Sequence, residues 1–285
     1  MGAPAARAEH QQISVRSPRD LELEAGSAAH YEDPHYYAKA YGSRVEDVRY
    51  YVDLASRRGG PVLEYGCGNG RIAIPIARAG IEVVGVDLSA EMLADLRARL
   101  HVEAPSVRRR LRARRGDMRR ARLGRRFPLI ICPFNAFLHL YTRRDVERFL
   151  SRVHAHLTPH GEFVFDVYVP APAELARDPR RAFGTPRFRY PGRDGEPGTV
   201  VRYAERFDYD KLRQILFVSM EFEPRDGSEP WQTPLAHRQF YPMEIEALLH
   251  YNGIEIIERF GDFFRGPLRP SSSTMLLHCR VRRRF

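Results

Sequence analysis

"VLEYGCGNGRIAIPIA", residues 62–77, sets Gly66, Gly68 and Gly70 at alternate positions between an apolar strand-like run and a helix-like run. A glycine-rich turn joining a strand to a helix lets a ligand come close to the backbone, because no side chains stand in the way. The spacing is Gly-x-Gly-x-Gly. That differs from the Gly-x-Gly-x-x-Gly of dinucleotide-binding folds and counts against a pyrophosphate-binding dehydrogenase.

What surrounds the turn decides which ligand it serves. Asp87 ends a second strand, "IEVVGVD", about twenty residues after the first glycine, where a carboxylate can accept hydrogen bonds from both ribose hydroxyls of an adenosine. Leu88 and, one turn into the next helix, Met92 follow it. A third strand is expected to end at "GDM", Gly116 to Met118. There Asp117 is placed to accept from the adenine exocyclic amine, and the Met118 backbone to read the ring edge. Glu64, just ahead of the glycines, puts negative charge where a ligand would carry an ammonium. In open α/β sheets ligands sit beyond the carboxyl ends of the strands, and all these residues map there.

The four stretches "VLEYGCGNG", "VVGVDLSAEML", "GDM" and "HLTPHGEFVFDV" resemble, in order and spacing, the motifs of the class I S-adenosylmethionine-dependent methyltransferases. The resemblance runs over residues 31–170 and 237–280. Within the class the chain is similar to small-molecule enzymes, namely the amino-sugar N,N-dimethyltransferases and the glycine N-methyltransferases. It implies a Rossmann-like, doubly wound α/β fold with a seven-stranded sheet whose last strands form a reversed hairpin. It also implies S-adenosyl-L-methionine as cofactor and a small-molecule N or O nucleophile as methyl acceptor. Side chains at Gly66 or Gly68 would collide with the methionyl part of that cofactor, and Cys67 between them reads as a small filler. In "CPFNAFLHLY", Pro133 and Phe134 would wall the sulfonium, where an aromatic face suits a cation. Tyr37 and Tyr41 sit where related enzymes close a lid. His139 is the candidate general base, since imidazole titrates near neutrality; His237 is a weaker second candidate.

Strands and helices alternate from residue 45 to 170, which argues for a parallel sheet covered on both faces. Four segments follow from the chain's changes of rhythm. Residues 1–29 read as a flexible tail and 30–170 as the cofactor-binding core. Residues 171–236 read as an antiparallel insertion capping the acceptor site, and 237–285 as a helix and strands completing the core sheet. The insertion shows period-two alternation in "TVVRYAERFDYD" and "RQILFVSMEFEP". Its aromatics, Phe188, Tyr190, Tyr203, Phe207, Tyr209, Phe217, Phe222 and Trp231, either pack as a mini-core or line an acceptor pocket.

The net charge of +10 rests on arginine, since Lys39 and Lys211 are the two lysines of 285 residues. The densest run, Arg108 to Arg126, would serve an RNA methyltransferase as a phosphate footprint. An arginine-rich edge strand is the plainer reading, and the chain lacks the Asn/Asp-Pro-Pro-aromatic run of nucleobase-amine methyltransferases. Nucleic acid is therefore not the expected partner; a cofactor-binding protein without turnover is the other alternative. Three scattered cysteines form neither a disulfide framework nor a zinc pattern, so no metal is expected. No run of about 18 apolar residues and no secretory h-region occurs, so the expectation is a cytoplasmic protein, monomer or homodimer, without membrane attachment.

Overall fold

The computed structural model describes residues 17–192 and 198–282. Helices α1 (Pro18–Ala28), α2 (Pro34–Tyr41) and α3 (Glu46–Arg58) come first. Then follow β1 (Val62–Tyr65), α4 (Ala73–Arg78), β2 (Val83–Asp87), α5 (Ala90–His101), α6 (Pro105–Arg110) and β3 (Leu111–Arg115). The chain continues through β4 (Phe127–Cys132), α7 (Arg143–His156), β5 (Leu157–Tyr168) and α8 (Pro172–Leu175). Next come β6 (Phe183–Tyr190), β7 (Thr199–Asp210), β8 (Ile215–Pro224) and β9 (Trp231–Arg238). The described chain closes with α9 (Pro242–Tyr251), β10 (Ile254–Phe260) and β11 (Thr274–Val281).

Seven strands form the core sheet in the order β10-β11-β5-β4-β1-β2-β3, and β11 is antiparallel to both its neighbours. The pairs β1–β2, β1–β4, β2–β3 and β4–β5 are parallel. This is the expected Rossmann-like sheet with its reversed final hairpin. Its central strands are buried on both faces, which is why "VLEY" and "FPLIIC" read as continuous apolar runs and not as alternating ones. Ser89 caps α5 through the Met92 amide, and Thr142 and Asp145 form a capping box on α7; such caps contribute about 1 kcal/mol each. Helix α7 then buries Val146, Phe149, Leu150 and Val153 on one side of the sheet. From β1 the chain moves to β2 and β3 on one side, and to β4 and β5 on the other. The crevice between the carboxyl ends of β1 and β4 is thus the switch point where ligands of such sheets bind.

Two expected boundaries move. Residues 18–28 are a helix, not part of a loose tail, and residues 1–16 lie outside the described residues. The signal was present in "SPRD": Ser17 and Asp20 make a capping box and Pro18 starts the helix. Helix α1 lies so close to β9 that a Cβ on Gly26 would stand 2.8 Å from Ala236 Cβ. The insertion also runs past residue 236, because β9 carries His237 and Arg238. Pro234 disguises this strand in the sequence. It is tolerated because β9 is the last strand of the sheet β6-β7-β8-β9.

The insertion aromatics divide. Tyr190, Tyr203, Phe222 and Trp231 pack with Tyr36, Val201 and Met220 into a mini-core, in which Tyr36 stacks on Tyr190 and Phe222 on Trp231. Phe217 joins Ile215, Ala236, Leu23 and Tyr141 in a second small cluster under α1. Phe207 is buried beside Phe183, and Tyr209 is half-buried. The side chain of Phe188 lies outside what the structure describes. Among the described residues no helix is long and apolar enough to cross a membrane, and no group of three or more His, Cys, Asp or Glu is placed to hold a metal ion.

Candidate active site

The turn after β1 bends through three left-handed glycines, with φ of 71° at Gly66, 50° at Gly68 and 79° at Gly70. Side chains are excluded here by the protein before any ligand arrives. A Cβ on Gly66 would stand 2.7 Å from Ala136 Cβ, and one on Gly68 would stand 3.0 Å from Met92 Cε. The collision expected with a cofactor is therefore not the nearest reason for these glycines. Cys67 is buried, its thiol pushed well up by burial, and it fills the space over Gly85. Met92 is buried against Gly68.

Asp87 closes the turn from the next strand. Its carboxylate accepts from the Gly68 amide at 2.7 Å and from the Ser89 amide at 2.9 Å. Burial raises its pKa, and those amides oppose the rise. Each carboxylate oxygen keeps a further lone pair for a ligand hydroxyl. Leu88 beside it is 60% exposed at the rim, and its carbonyl accepts from Arg115 Nε. Glu64 is buried, Arg71 only partly offsets the rise of its pKa by burial, and its Oε2 has no hydrogen-bond partner among the described residues. A buried acceptor left open is costly unless a donor fills it.

The third expected contact is differently engaged. Asp117 is held by Arg119, whose Nε lies 2.9 and 3.0 Å from its two oxygens and whose Nη2 lies 2.8 Å away. Burial raises the Asp117 pKa, but Arg119 outweighs it and holds the carboxyl below its usual range. Arg119 also reaches Asp145 at 2.7 Å. An adenine amine would have to share Asp117 with this guanidinium. Gly116 and Met118 flank it, Gly116 over Val86 and Met118 against the main core.

Across the crevice, the chain after β4 is left-handed at two successive non-glycine residues, Phe134 (φ 54°) and Asn135 (φ 63°). Such positions cost about 1–3 kcal/mol each and persist where the surroundings over-determine them. Here the Phe134 amide donates to Asp166 Oδ1 at 3.0 Å, and Asn135 Oδ1 accepts from the Tyr168 amide at 2.7 Å. Pro133 is buried behind them. The Phe134 ring meets Tyr41 edge-on at 5.0 Å and Tyr37 at 6.2 Å. The Arg71 guanidinium lies 4.5 Å and the Arg44 guanidinium 5.5 Å from its centroid. Arg71 is fixed by both oxygens of buried Asp47 and by the Arg44 carbonyl.

Farther along the same segment, His139 is bonded on both nitrogens. The Tyr141 hydroxyl donates to the Ala236 carbonyl, so it accepts from His139 Nδ1, and His139 Nε2 is left to accept from the Tyr31 hydroxyl at 2.7 Å. Burial, with nearby His30, brings the His139 pKa down to about 4. Its ring meets that of His237 at 5.0 Å, and His237 Nε2 has no partner among the described residues. His30 is buried, bonds Tyr41 through Nε2 and leaves Nδ1 open.

So the structure brings Glu64, Gly66, Gly68 and Asp87 together with Phe134, Tyr37 and Tyr41 around one crevice. Cys67 and Met92 are buried against the turn, and Asp117 is tied to Arg119. Sequence reasoning missed His30, Tyr31, Arg44, Arg71 and Asp166. Two of these had a signal, as Arg71 directly follows the glycines and Asp166 is a lone acid inside the apolar run "FVFDVYV".

Residues 62–161 match the model of a family described as a methyltransferase domain. The chain is 32% identical over 133 residues to a dTDP-3-amino-3,6-dideoxy-alpha-D-glucopyranose N,N-dimethyltransferase of Streptomyces fradiae, covering 45% of this chain and 47% of that protein. The likeness thus spans about half the length of that relative. A glycine/sarcosine N-methyltransferase of Halorhodospira halochloris is 26% identical over 236 residues, 80% of this chain and 78% of that one. The methyltransferase fold is shared with S-adenosylmethionine-bound CalS10, an amino pentose methyltransferase from Micromonospora echinaspora. The TM-score is 0.63 at 22% identity, over 86% of this chain and 96% of that one. Both relatives belong to the groups that the motifs resemble.

Proposed function

We propose that the chain transfers the methyl group of S-adenosyl-L-methionine to an N or O nucleophile of a small molecule, leaving S-adenosylhomocysteine. The observation that carries this is the crevice itself. One wall presents the open Glu64 acceptor, the glycine turn and Asp87. The other presents Phe134 between two tyrosines and two guanidiniums. Glu64 suits the cofactor's ammonium, Arg44 and Arg71 its carboxylate, Asp87 the ribose, and the Phe134 face the sulfonium. Asp117 would reach adenine only by sharing its oxygens with Arg119.

The acceptor would enter between the insertion and the helices before β1. His30, Tyr31, His139 and His237 converge there, and the imidazoles are held neutral by burial. The nucleophile must approach the methyl in line, and that alignment is a large source of rate. His139 can take its proton only when Tyr31 yields Nε2 or passes the proton on. In the Arg108–Arg126 run, Arg110, Arg114, Arg115 and Arg126 bond backbone carbonyls, and Arg125 pairs with Glu82. Supply of S-adenosylmethionine with a panel of amino sugars, glycine, sarcosine and hydroxylated small molecules tests the reading. Acceptor-dependent S-adenosylhomocysteine release is expected. A chain that binds S-adenosylhomocysteine yet turns over no acceptor and no RNA would instead be a non-catalytic binder.

A further inference from the structure

Asp166 sits at the end of β5 with its carboxylate buried, yet it belongs to neither wall of the crevice. One of its oxygens accepts two hydrogen bonds. The Tyr51 hydroxyl comes from α3 at 2.6 Å and the Phe134 amide from the strained turn at 3.0 Å. Two residues on, the Tyr168 amide bonds Asn135 Oδ1. The end of β5 therefore clamps both left-handed residues, the first of which carries the ring that meets Tyr41 and the Arg71 guanidinium. A bulky residue does not hold a positive φ unaided.

We propose that Asp166 is the positioning residue of this site: its carboxylate, shared between Tyr51 and the Phe134 amide, sets the Phe134 ring against the charged centre of the bound cofactor. The inference rests on the reading of Phe134 as the wall facing that centre. Hydrogen bonds to an ionised carboxylate are stronger than those to a neutral one, so the clamp is firmest when Asp166 is charged. Burial pushes its pKa up to about 6. The Tyr51 and Phe134 bonds oppose that rise, Asp47 adds to it and Arg71 lowers it again. The other ionisable group facing it, the Cys132 thiol on β4, is kept neutral by burial. The clamp therefore tightens as pH rises through that value, while His30 and His139 titrate lower, at about 4.

Calorimetry with two probes reads the position of Phe134 without any acceptor. S-adenosylhomocysteine is neutral at sulfur, whereas sinefungin carries an ammonium-bearing carbon in its place. The ratio of their affinities isolates the cation–ring contact, expected to favour sinefungin by about two- to thirtyfold. That preference should fall in the wild-type protein as pH drops through 6. Asp166→Asn should lose it at every pH, with S-adenosylhomocysteine binding changed by less than about threefold. Tyr51→Phe removes a bond that favours the charged form and should shift the pH midpoint upward, which keeps the test alive if Asp166→Asn does not fold. An unchanged ratio with unchanged pH dependence in Asp166→Asn, or an unmoved midpoint in Tyr51→Phe, overturns the proposal. A wild-type protein that binds neither probe overturns the cofactor reading beneath it.

Discussion

One wall of the crevice is built from a single short stretch, residues 64–70, and one carboxylate about twenty positions on; the other is assembled from Tyr31, from Phe134, His139 and Tyr141 after β4, and from Ala236 on β9. In the first, backbone conformation does the work: left-handed glycines, amides aimed at Asp87, and an open Glu64 oxygen. In the second, side chains depend on one another, and the tautomer of His139 is set by a carbonyl on β9. The difference teaches that a cofactor common to many enzymes is met by local chain geometry. On the proposed reading, the acceptor is met by tertiary assembly.

If that contrast is sound, mutations on the two walls will separate cleanly. The largest effect is expected at Tyr31 and His139. His139→Ala should lower turnover about a hundredfold or more while leaving S-adenosylhomocysteine affinity unchanged. Because the two side chains form one bonded unit, Tyr31→Phe with His139→Ala should be little worse than either alone. Steady-state kinetics on one acceptor, with melting temperatures recorded, decides this. Fully additive losses, or a single mutant that keeps its fold and most of its rate, would break the comparison.

The same contrast explains what could be read from the sequence. The glycine turn and the strand that ends at Asp87 follow from patterns a few residues long, while the seven-stranded sheet with its reversed hairpin follows from the family those patterns resemble, and the structure carries that fold. Helix α1 carries a capping box, but Leu23 and Gly26 pack against Ala236 on a strand some 200 positions away, which no local pattern shows. Asp117 shows the limit from the other side. Its position was legible, but its partner Arg119, which also grips Asp145 on α7, was not. Tyr31 could not be singled out among the many tyrosines, because only the fold brings it to His139.

A second comparison lies between the two ends of the core sheet. At the amino end of β5, away from the crevice, buried His278 bonds Tyr50 and Glu162, and Glu162 pairs with Arg58. Burial brings the His278 pKa down to about 4; Glu258 opposes this, and Arg265, Arg58 and Arg57 assist it. With its folded pKa depressed, His278 contributes stability that is present above its ordinary value of 6.5 and lost as pH falls toward about 4. His278→Gln should thus destabilise by about 1–3 kcal/mol at pH 7.5, with the gap to wild type narrowing as pH falls from 6.5 to 4. S-adenosylhomocysteine affinity should stay constant. Thermal melts at several pH values check it. A penalty that is flat with pH would show that the neutral imidazole is not what the site selects.

The smallest effect is expected on the basic edge. Replacing Arg108, Arg109 and Arg112 by glutamine should change S-adenosylhomocysteine affinity and small-acceptor turnover by less than about twofold, since charges at the exposed edge are screened by salt. A tight RNA complex whose salt dependence weakens in this variant would instead restore the nucleic-acid reading.

The claim on which all of this rests is that a cofactor lies on the wall closed by Asp87, and calorimetry of S-adenosylhomocysteine with wild type and Asp87→Ala tests it most directly. The carboxylate would accept from the ligand's ribose while holding the Gly68 and Ser89 amides, and charge-assisted hydrogen bonds of this kind are worth about 1.5–3 kcal/mol each. Wild type should bind, and the folded mutant should bind at least about tenfold more weakly. Equal affinity in a folded Asp87→Ala protein, or no binding by wild type, would contradict the account.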